Sequence, residues 1–292
     1  MADAWITHDF GATARLFVRH CPQLEVPSAL QQFHQLTSIK LYNTSITSWP
    51  VEGAFTSSSH TKMRALFAVR TNFSNGELPP GLLTAEFPQG LRSFTTSITN
   101  LQSLPDNLHE LWPQTMTLAF ERSLLQVVPL TLTKMNPVLM SFAGSPIVTV
   151  PAEMFEGPQL ECVLLSHTLV QELPRVVANP SPSFYLMFLD GTNVSTFWSW
   201  MEPFVQYSFS LKSNFFVAQG SRFCAERDEI VARNRTNFSI RTAEPGVSDL
   251  ASVMDVSTPE KFKFSIAAVL CETGLPFYFP LELQDAISAI QS

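Results

Sequence analysis

The sequence Leu101-Gln102-Ser103-Leu104-Pro105 returns three times before Met201 with other residues at its variable positions. The three later copies share an apolar residue, two variable residues, an apolar anchor and a proline: Leu125-Gln126-Val127-Val128-Pro129, Ile147-Val148-Thr149-Val150-Pro151 and Val170-Gln171-Glu172-Leu173-Pro174. A motif that recurs at nearly constant spacing indicates one structural unit used many times.

The four copies lie between Leu91 and Met201, and further apolar anchors occur closer to the amino end and closer to Met201. The full set of anchors is Val26, Trp49, Leu78, Leu104, Val128, Val150, Leu173 and Phe197. The intervals between successive anchors are 23, 29, 26, 24, 22, 23 and 24 residues. Leucine-rich repeats have a period of about 20–29 residues. The spacing therefore predicts an α/β solenoid: a leucine-rich-repeat horseshoe of about eight repeats with a parallel concave sheet, an irregular convex side and a C-terminal cap.

Each predicted repeat has further positions at fixed offsets from its anchor. Ten and eight residues before it, two alternating apolar positions predict a short strand, as with Leu118 and Phe120 before Val128. Five residues before it stands a small residue able to hydrogen-bond the loop: Cys21, Thr44, Thr99, Ser123, Ser145, Thr168 and Thr192. On the predicted convex side, the core is closed by Leu30, Leu82, Leu108, Leu132, Met154, Val177 and Met201. The anchor prolines predict short helical turns there, because proline lacks an amide hydrogen.

The period fails after Met201, which divides the chain into two predicted regions. Residues 1–201 are the solenoid, with a partial first repeat, and residues 202–292 are the C-terminal capping region. Within the cap, the patterns predict strands at Tyr207–Ala218 and Phe262–Cys271, a long polar loop at Gly220–Val256 and a short helix at Asp285–Ile290.

Composition excludes several classes of protein. The chain has 292 residues, of which 45% are hydrophobic and 15% charged, so it can bury a large core. A net charge of -7 argues against a nucleic-acid partner. No apolar run approaches the roughly 20 residues of a membrane helix, so membrane association is expected only through segments absent from this chain. The first nine residues carry two acids and lack a long apolar core, so they do not form a signal peptide.

The concave surface is the predicted binding surface. The side chains expected there are Phe17, Lys40, Phe67, Thr95, Ala119, Leu139, Ser141, Leu164, Leu186 and Phe188. Towards the carboxyl end this surface becomes apolar, and an exposed apolar patch of that kind usually marks a binding site. The alternative is that the cap folds back over the patch.

Cysteines and glycosylation sequons bear on the compartment. Cys224 and Cys271 both lie in the predicted cap, where they either form a disulfide or remain two thiols. Asparagines begin five Asn-x-Ser/Thr sequons: Asn43, Asn72, Asn193, Asn234 and Asn237. Sequons matter only in a secreted chain, so they are a mild argument for secretion.

Catalytic and metal-binding patterns are missing from the sequence. Nucleophile elbows, phosphate loops, zinc-binding histidine pairs and kinase loops do not occur. Ser166 and His167 are adjacent on a predicted strand, where neighbouring side chains point to opposite faces. We therefore expect no enzyme, no metal and no cofactor.

Several segments resemble the leucine-rich-repeat ectodomains of oomycete cell-surface proteins, some of which are linked to kinase domains. The segments are Cys21–Pro27, Leu41–Ile46 before Trp49-Pro50, Leu111–Pro113, Phe223-Cys224 with the later Cys271, and Tyr278–Pro280. The resemblance implies an extracellular sensing or adhesion module in which Cys224 and Cys271 pair. This chain differs in having no signal peptide, membrane span or kinase, so it fits a truncated product of such a gene.

Three functional hypotheses follow from the sequence. The first is a non-catalytic binding module, the extracellular part of a receptor-like protein, whose concave face takes a protein, peptide or glycan. The second is a cytosolic leucine-rich-repeat scaffold or adaptor, which the lack of a signal peptide favours. An enzymatic role would require a kinase domain encoded beyond Ser292.

Overall fold

The computed structural model describes residues 12–211, 216–240, 249–272, 274 and 277–288. The chain forms two compact units. Unit 1 comprises residues 1–125, 129–138 and 279–292, and unit 2 comprises residues 126–128 and 139–278. The first nine residues, which are predicted not to form a signal peptide, and Ile290, the end of the predicted terminal helix, lie outside the described residues.

The described elements alternate between strands and short helical turns. The strands are β1 (Arg15–Arg19), β2 (Leu24–Glu25), β3 (Ser38–Ser48), β4 (Ala65–Asn72), β5 (Ser93–Thr99), β6 (Thr117–Glu121), β7 (Leu139–Ser141), β8 (Cys162–Leu164), β9 (Leu186–Phe188) and β10 (Phe216–Val217). The α-helices are α1 (Leu108–Leu111), α2 (Leu130–Thr133), α3 (Glu202–Leu211), α4 (Arg222–Val231), α5 (Pro259–Ala268) and α6 (Leu281–Ser288). Short 3₁₀ turns are Ser28–Gln32, Val51–Gly53, Ser74–Gly76, Pro80–Leu82, Ala152–Phe155, Ser199–Met201 and Ser252–Met254.

Each unit contains a parallel sheet whose strands follow the order of the chain. In unit 1, β1, β3, β4, β5 and β6 pair in that order, and β2 adds a second contact with β3. In unit 2, β7, β8, β9 and β10 pair in that order. Parallel neighbours joined by one returning segment each are the geometry of a leucine-rich-repeat solenoid, so the predicted fold class is confirmed.

The repeat register is also confirmed. All eight predicted anchors are buried, and so are all seven residues predicted to close the core on the convex side. Helical turns directly follow the anchor prolines Pro27, Pro50, Pro79, Pro129 and Pro151. Proline fits there because its fixed φ and missing N–H suit the position just before a turn begins.

A ladder of buried hydroxyl groups lies inside the turns, as predicted. Thr168 and Thr192 each donate from Oγ1 to a backbone carbonyl three residues earlier, both at 2.7 Å. In unit 1, Thr71 joins the ladder through Thr44, with 3.3 Å between their Oγ1 atoms. Thr168 and Thr192 thus each satisfy one loop carbonyl, whereas the buried hydroxyl of Thr99 has no hydrogen-bond partner among the described residues.

Within each strand or up to three residues after it, except for the short β2, one described residue has a left-handed backbone. In unit 1 these residues are His20, Asn43, Arg70, Ile98 and Arg122, and in unit 2 they are Gly144, His167, Gly191 and Gly220. Non-glycine residues at positive φ are uncommon, and a β-branched residue such as Ile98 (φ 56°) is strained there. The repeat therefore imposes a bend that the sequence only partly accommodates with glycine and asparagine.

Three secondary-structure predictions in the cap were wrong in whole or in part. Of the predicted strand Tyr207–Ala218, residues 207–211 belong to helix α3, whereas Phe216–Val217 form β10 and continue the sheet as predicted. The predicted loop at Gly220–Val256 contains α4, and the predicted strand at Phe262–Cys271 is mostly α5. Residues 212–215 and 241–248 of these ranges lie outside the described residues.

Capping residues explain why these segments are helical. The Ser221 hydroxyl accepts from the Cys224 N–H at the start of α4. The Thr258 hydroxyl accepts from the Lys261 N–H at the start of α5, and Pro259 occupies the first turn. The terminal helix was predicted correctly, although α6 begins earlier, at Leu281. The predicted boundary after Met201 falls within unit 2 and stays a prediction.

Candidate functional site

Five of the predicted concave residues form one row across the sheet of unit 1. Phe17 pairs in register with Lys40, Lys40 with Phe67, Phe67 with Thr95, and Thr95 with Ala119. The sequence therefore identified neighbours that come from five different repeats. Whether this row binds a partner stays a prediction.

Access to this row decreases along the sheet. Phe17 is 42% exposed, Lys40 and Phe67 are half-buried, and Thr95 and Ala119 are buried. The open part of the row therefore lies over β1 and β3.

A second row on the same side was missed at the sequence level. Two residues further along each strand, Arg19, Tyr42, Val69, Ser97 and Glu121 pair in register. Residues two apart on a strand share a face, so this row follows from the same offset. Arginine, tyrosine and glutamate at strand positions expected to face solvent are the sequence feature from which this second row could have been predicted.

The C-terminal helix α6 of the same chain lies on both rows of unit 1. Its contact face consists of Leu281, Gln284, Asp285 and Ser288, which are buried or half-buried. Positions i, i+3, i+4 and i+7 form one side of an α-helix. Lys40 donates from Nζ to Oε1 of Gln284 and, at 3.3 Å, to the Ser288 hydroxyl.

Asp285 is the centre of the polar contact. Its Oδ1 accepts from the Tyr42 hydroxyl at 2.7 Å and from Arg70 Nε at 3.0 Å, and its Oδ2 accepts from Arg70 Nη2 at 2.7 Å. The pair Arg70–Asp285 is thus a two-pronged ion pair, the strongest geometry for an arginine and a carboxylate. Their side chains are 40% and 29% exposed, so water screens part of the attraction.

These contacts shift the ionisation of the groups in a consistent direction. Hydrogen bonding from Arg70 lowers the pKa of Asp285, and the same bond raises the pKa of Arg70. Burial raises the pKa of Tyr42, with the neighbouring Asp285 adding to the effect. Burial lowers the pKa of Lys40, although Asp285 opposes this. The site therefore favours a carboxylate at the position of Asp285.

Phe279, just before α6, is the apolar anchor of the segment. It is buried against Tyr42, Val69 and Leu281, and its ring centroid lies 6.3 Å from that of Phe67. Its backbone N–H donates to Oε2 of the fully buried Glu121 at 3.1 Å. A carboxylate that receives a backbone N–H fixes the path of the chain at this point.

The predicted concave residues of unit 2 are covered by its own cap. Ser141, Leu164 and Phe188 pair in one row, and Leu139 pairs through Cys162 with Leu186 in another. Leu270 and Phe277 pack against the apolar cluster that these residues form. The structure thus shows the covered alternative for this patch, since Phe188 is only 7% exposed and Leu164 only 2%.

Ser166 and His167 do not form a catalytic pair that a substrate could reach. The Ser166 hydroxyl is buried and donates to Oδ2 of Asp190 at 3.0 Å. The His167 ring stacks on Phe277 with 5.7 Å between centroids. Burial raises the pKa of Asp190. The geometry describes a packed polar cluster rather than a substrate site.

The cysteines and sequons have clear positions. Cys224 in α4 and Cys271 after α5 form a disulfide with 5.7 Å between their Cα atoms. Cys162 is a buried thiol, and burial raises its pKa to about 12. All five sequon asparagines are exposed: Asn43, Asn72, Asn193, Asn234 and Asn237.

The described residues offer neither a metal site nor a membrane span. They contain no group of three or more histidine, cysteine or acidic side chains that could hold a metal ion. Within the same residues, no helix is long and apolar enough to cross a membrane.

No protein-family model matches the sequence, and no curated protein matches it either. Among solved structures, a leucine-rich-repeat protein of Leptospira interrogans is similar, with 13% identity and a TM-score of 0.49 over 75% of this chain. The chain spans 57% of that protein's length. The leucine-rich-repeat domain of the type III effector XopL has 16% identity and a TM-score of 0.43, covering 64% of this chain and 79% of that one.

A third similar structure is the Toll–Spatzle complex of Drosophila, with 13% identity and a TM-score of 0.43. The match covers 62% of this chain and 30% of that one. Because these TM-scores are all below 0.5, the fold assignment rests on the repeat geometry of the chain itself.

Proposed function

We propose that this chain is a non-catalytic, protein-binding leucine-rich-repeat module that uses the concave face of unit 1. One observation carries the proposal: this face already holds a polypeptide helix, α6, through polar side chains of β3 and β4. A face that served only to close the core would not need a tyrosine and an arginine bonded to one carboxylate of the helix, or a lysine bonded to two other side chains of it.

The open end of the same face has the composition of a binding hot spot. The Phe17 ring is exposed, with Lys40 Nζ 5.0 Å and Arg19 Cζ 5.8 Å from its centroid. Aromatic residues and arginine are enriched where interfaces gain most of their free energy. We therefore expect the partner to place an apolar group on Phe17 and an acidic group near its two cations.

The finer proposal is that the module is extracellular and receptor-like. The disulfide between Cys224 and Cys271 supports it, because such bonds persist in oxidising compartments. The exposure of all five sequon asparagines and the resemblance to oomycete ectodomains support it as well. The alternative, a cytosolic scaffold, draws on Cys21 and Cys162, which are thiols.

Binding is tested with a matched pair of substitutions. Phe17→Asp places a carboxylate in the proposed contact, whereas Val51→Asp does so on an exposed convex turn, where Val51 is 57% exposed. Partner capture from the native source, quantified against the wild type, should fall at least tenfold for Phe17→Asp and stay unchanged for Val51→Asp. Equal capture by both variants would exclude this face.

The compartment is tested by non-reducing peptide mass mapping of the protein from its native source. The extracellular proposal expects a Cys224–Cys271 peptide pair and glycans on some of the five asparagines. Two thiols together with five unmodified asparagines would leave the cytosolic scaffold as the remaining proposal.

A further inference from the structure

Helix α6 is amphipathic, but its apolar side faces away from the protein. Leu283 and Ile287, one turn apart, are 59% and 61% exposed, while the contact face is polar except for Leu281. A surface helix normally buries its apolar stripe. The helix therefore rests on unit 1 in an orientation set by its polar contacts.

The contacts that hold α6 are individually weak in water. The ion pair between Arg70 and Asp285 is partly exposed, and exposed pairs contribute little to stability. Among the described residues from 279 to 288, Phe279 and Leu281 are the buried apolar ones. With eight residues, α6 is also shorter than the roughly 12 to 15 residues at which isolated helices begin to be stable.

The chain itself compensates for these weak contacts. Because α6 is covalently attached, its binding is intramolecular, with an effective concentration that reaches about the millimolar range for short flexible links. A weak interaction can fill a site under that condition and still yield to a partner that makes additional contacts. While α6 occupies the site, a competitor can bind only the molecules in which the site is open. Its apparent affinity is therefore its intrinsic affinity multiplied by the fraction of open molecules.

Resting on the proposed function, we propose that α6 is a tethered ligand that closes the concave site of unit 1. The partner that displaces it carries a short acidic amphipathic helix. The complementary chemistry is on the surface: Tyr42 and Arg70 converge on the Asp285 carboxylate, and Lys40 donates to the side chains of Gln284 and Ser288 on the same helix. Phe67 and Val69 flank the position of an apolar anchor. The partner segment thus has an acidic residue where Asp285 lies and, just before its helix, an apolar residue where Phe279 lies.

The test uses the full chain and a fluorescent synthetic peptide with the sequence of residues 279–288. Binding is followed by fluorescence anisotropy with the wild type and with Asp285→Ala, which loosens the tethered helix without changing the site. The matched control is Glu282→Ala, which removes the same charge from an exposed position of α6. We expect Asp285→Ala to bind the peptide about tenfold more tightly than the wild type. Glu282→Ala should behave as the wild type.

Addition of Arg70→Ala to the Asp285→Ala chain should remove the gain, because the peptide carboxylate then loses its partner. Equal peptide affinity for the wild type and Asp285→Ala would overturn the proposal. So would a gain that persists after Arg70→Ala.

A second measurement needs no variant. Hydrogen exchange of the wild-type chain should show the α6 amides exchanging much faster than those of β4, and faster still at high salt. Exchange in α6 as slow as in β4 would mean a permanently docked helix and would also overturn the proposal. Failure of the proposed function is distinguishable, because it shows as unchanged partner capture by Phe17→Asp, whatever the peptide does.

Discussion

Replacement of Val150 by aspartate tests the repeat register, and Val148 provides a matched control two residues away. Val150 is an anchor that is 8% exposed, whereas Val148 is 48% exposed on the same segment. The backbone of that segment is held by a bond from the Val148 N–H to the Gln126 carbonyl at 3.1 Å, which neither substitution removes. The two variants differ only in which side of the segment receives the carboxylate.

The expected cost follows from burial of the carboxylate. Loss of a buried valine side chain removes about 1.5 to 3 kcal/mol of transfer free energy. Burial raises the pKa of a carboxyl in that position by up to about 3 to 5 units. At pH 7 the resulting cost is at most about 4 kcal/mol, because the carboxyl takes up a proton once its pKa exceeds 7. Even a partial effect makes Val150→Asp cost about 4 kcal/mol or more, a large share of the about 5 to 15 kcal/mol of a typical domain. Val148→Asp should change stability by less than about 0.5 kcal/mol.

Urea unfolding at neutral pH, followed by tryptophan fluorescence, measures the difference; Trp198 and Trp200 are the tryptophans of unit 2, which contains both substitutions. We expect a clear shift of the midpoint to lower urea for Val150→Asp, or loss of the folded state, and no shift for Val148→Asp. Similar midpoints for the two variants would refute the register, and a stable Val150→Asp with an unfolded Val148→Asp would reverse it.

Two further predictions concern the disulfide and a buried histidine. Cys224→Ser should lower the free energy of unfolding by about 2 to 4 kcal/mol, because the disulfide closes a 47-residue loop. Cys21→Ser is the control. A urea midpoint of Cys224→Ser equal to that of the wild type would show that no such loop is closed. His60 is fully buried, accepts from the Thr56 N–H and bonds the Leu30 carbonyl, and burial lowers its pKa. The neutral His60 side chain therefore contributes fully to stability above about pH 6.5, and this contribution is lost as the pH falls through the pKa of the folded state. In His60→Gln, the free energy of unfolding should change less between pH 7 and pH 5 than in the wild type. The same change in both proteins would contradict the assignment.

Periodicity was sufficient to predict the solenoid because each repeat packs only on its neighbours. The anchor, strand and hydroxyl positions recur at fixed offsets, so once one repeat is aligned correctly, the corresponding residues of the other repeats are known. The row of concave residues from Phe17 to Ala119 was predicted from those offsets alone. The period contains no information on where a non-repeating segment docks, and the contact between Arg70 and Asp285 joins residues 215 positions apart.

The cap was misread for a local reason. Phe209 and Leu211 alternate like a strand, yet both are exposed on α3, whose buried face is Phe204, Val205 and Ser208. Two apolar residues at a spacing of two are weak support for a strand when a proline and an acidic residue open the segment. Capping residues would have been the better guide.

Incorporation of a photo-reactive phenylalanine analogue at Phe17, and in parallel at Val51, tests the central claim that the concave face of unit 1 binds a protein partner. Irradiation of the protein with material from its native source, followed by mass spectrometry, identifies what each position touches. The account predicts a defined protein adduct from position 17 and none from position 51. An adduct from position 51 alone would place the binding surface elsewhere and contradict it.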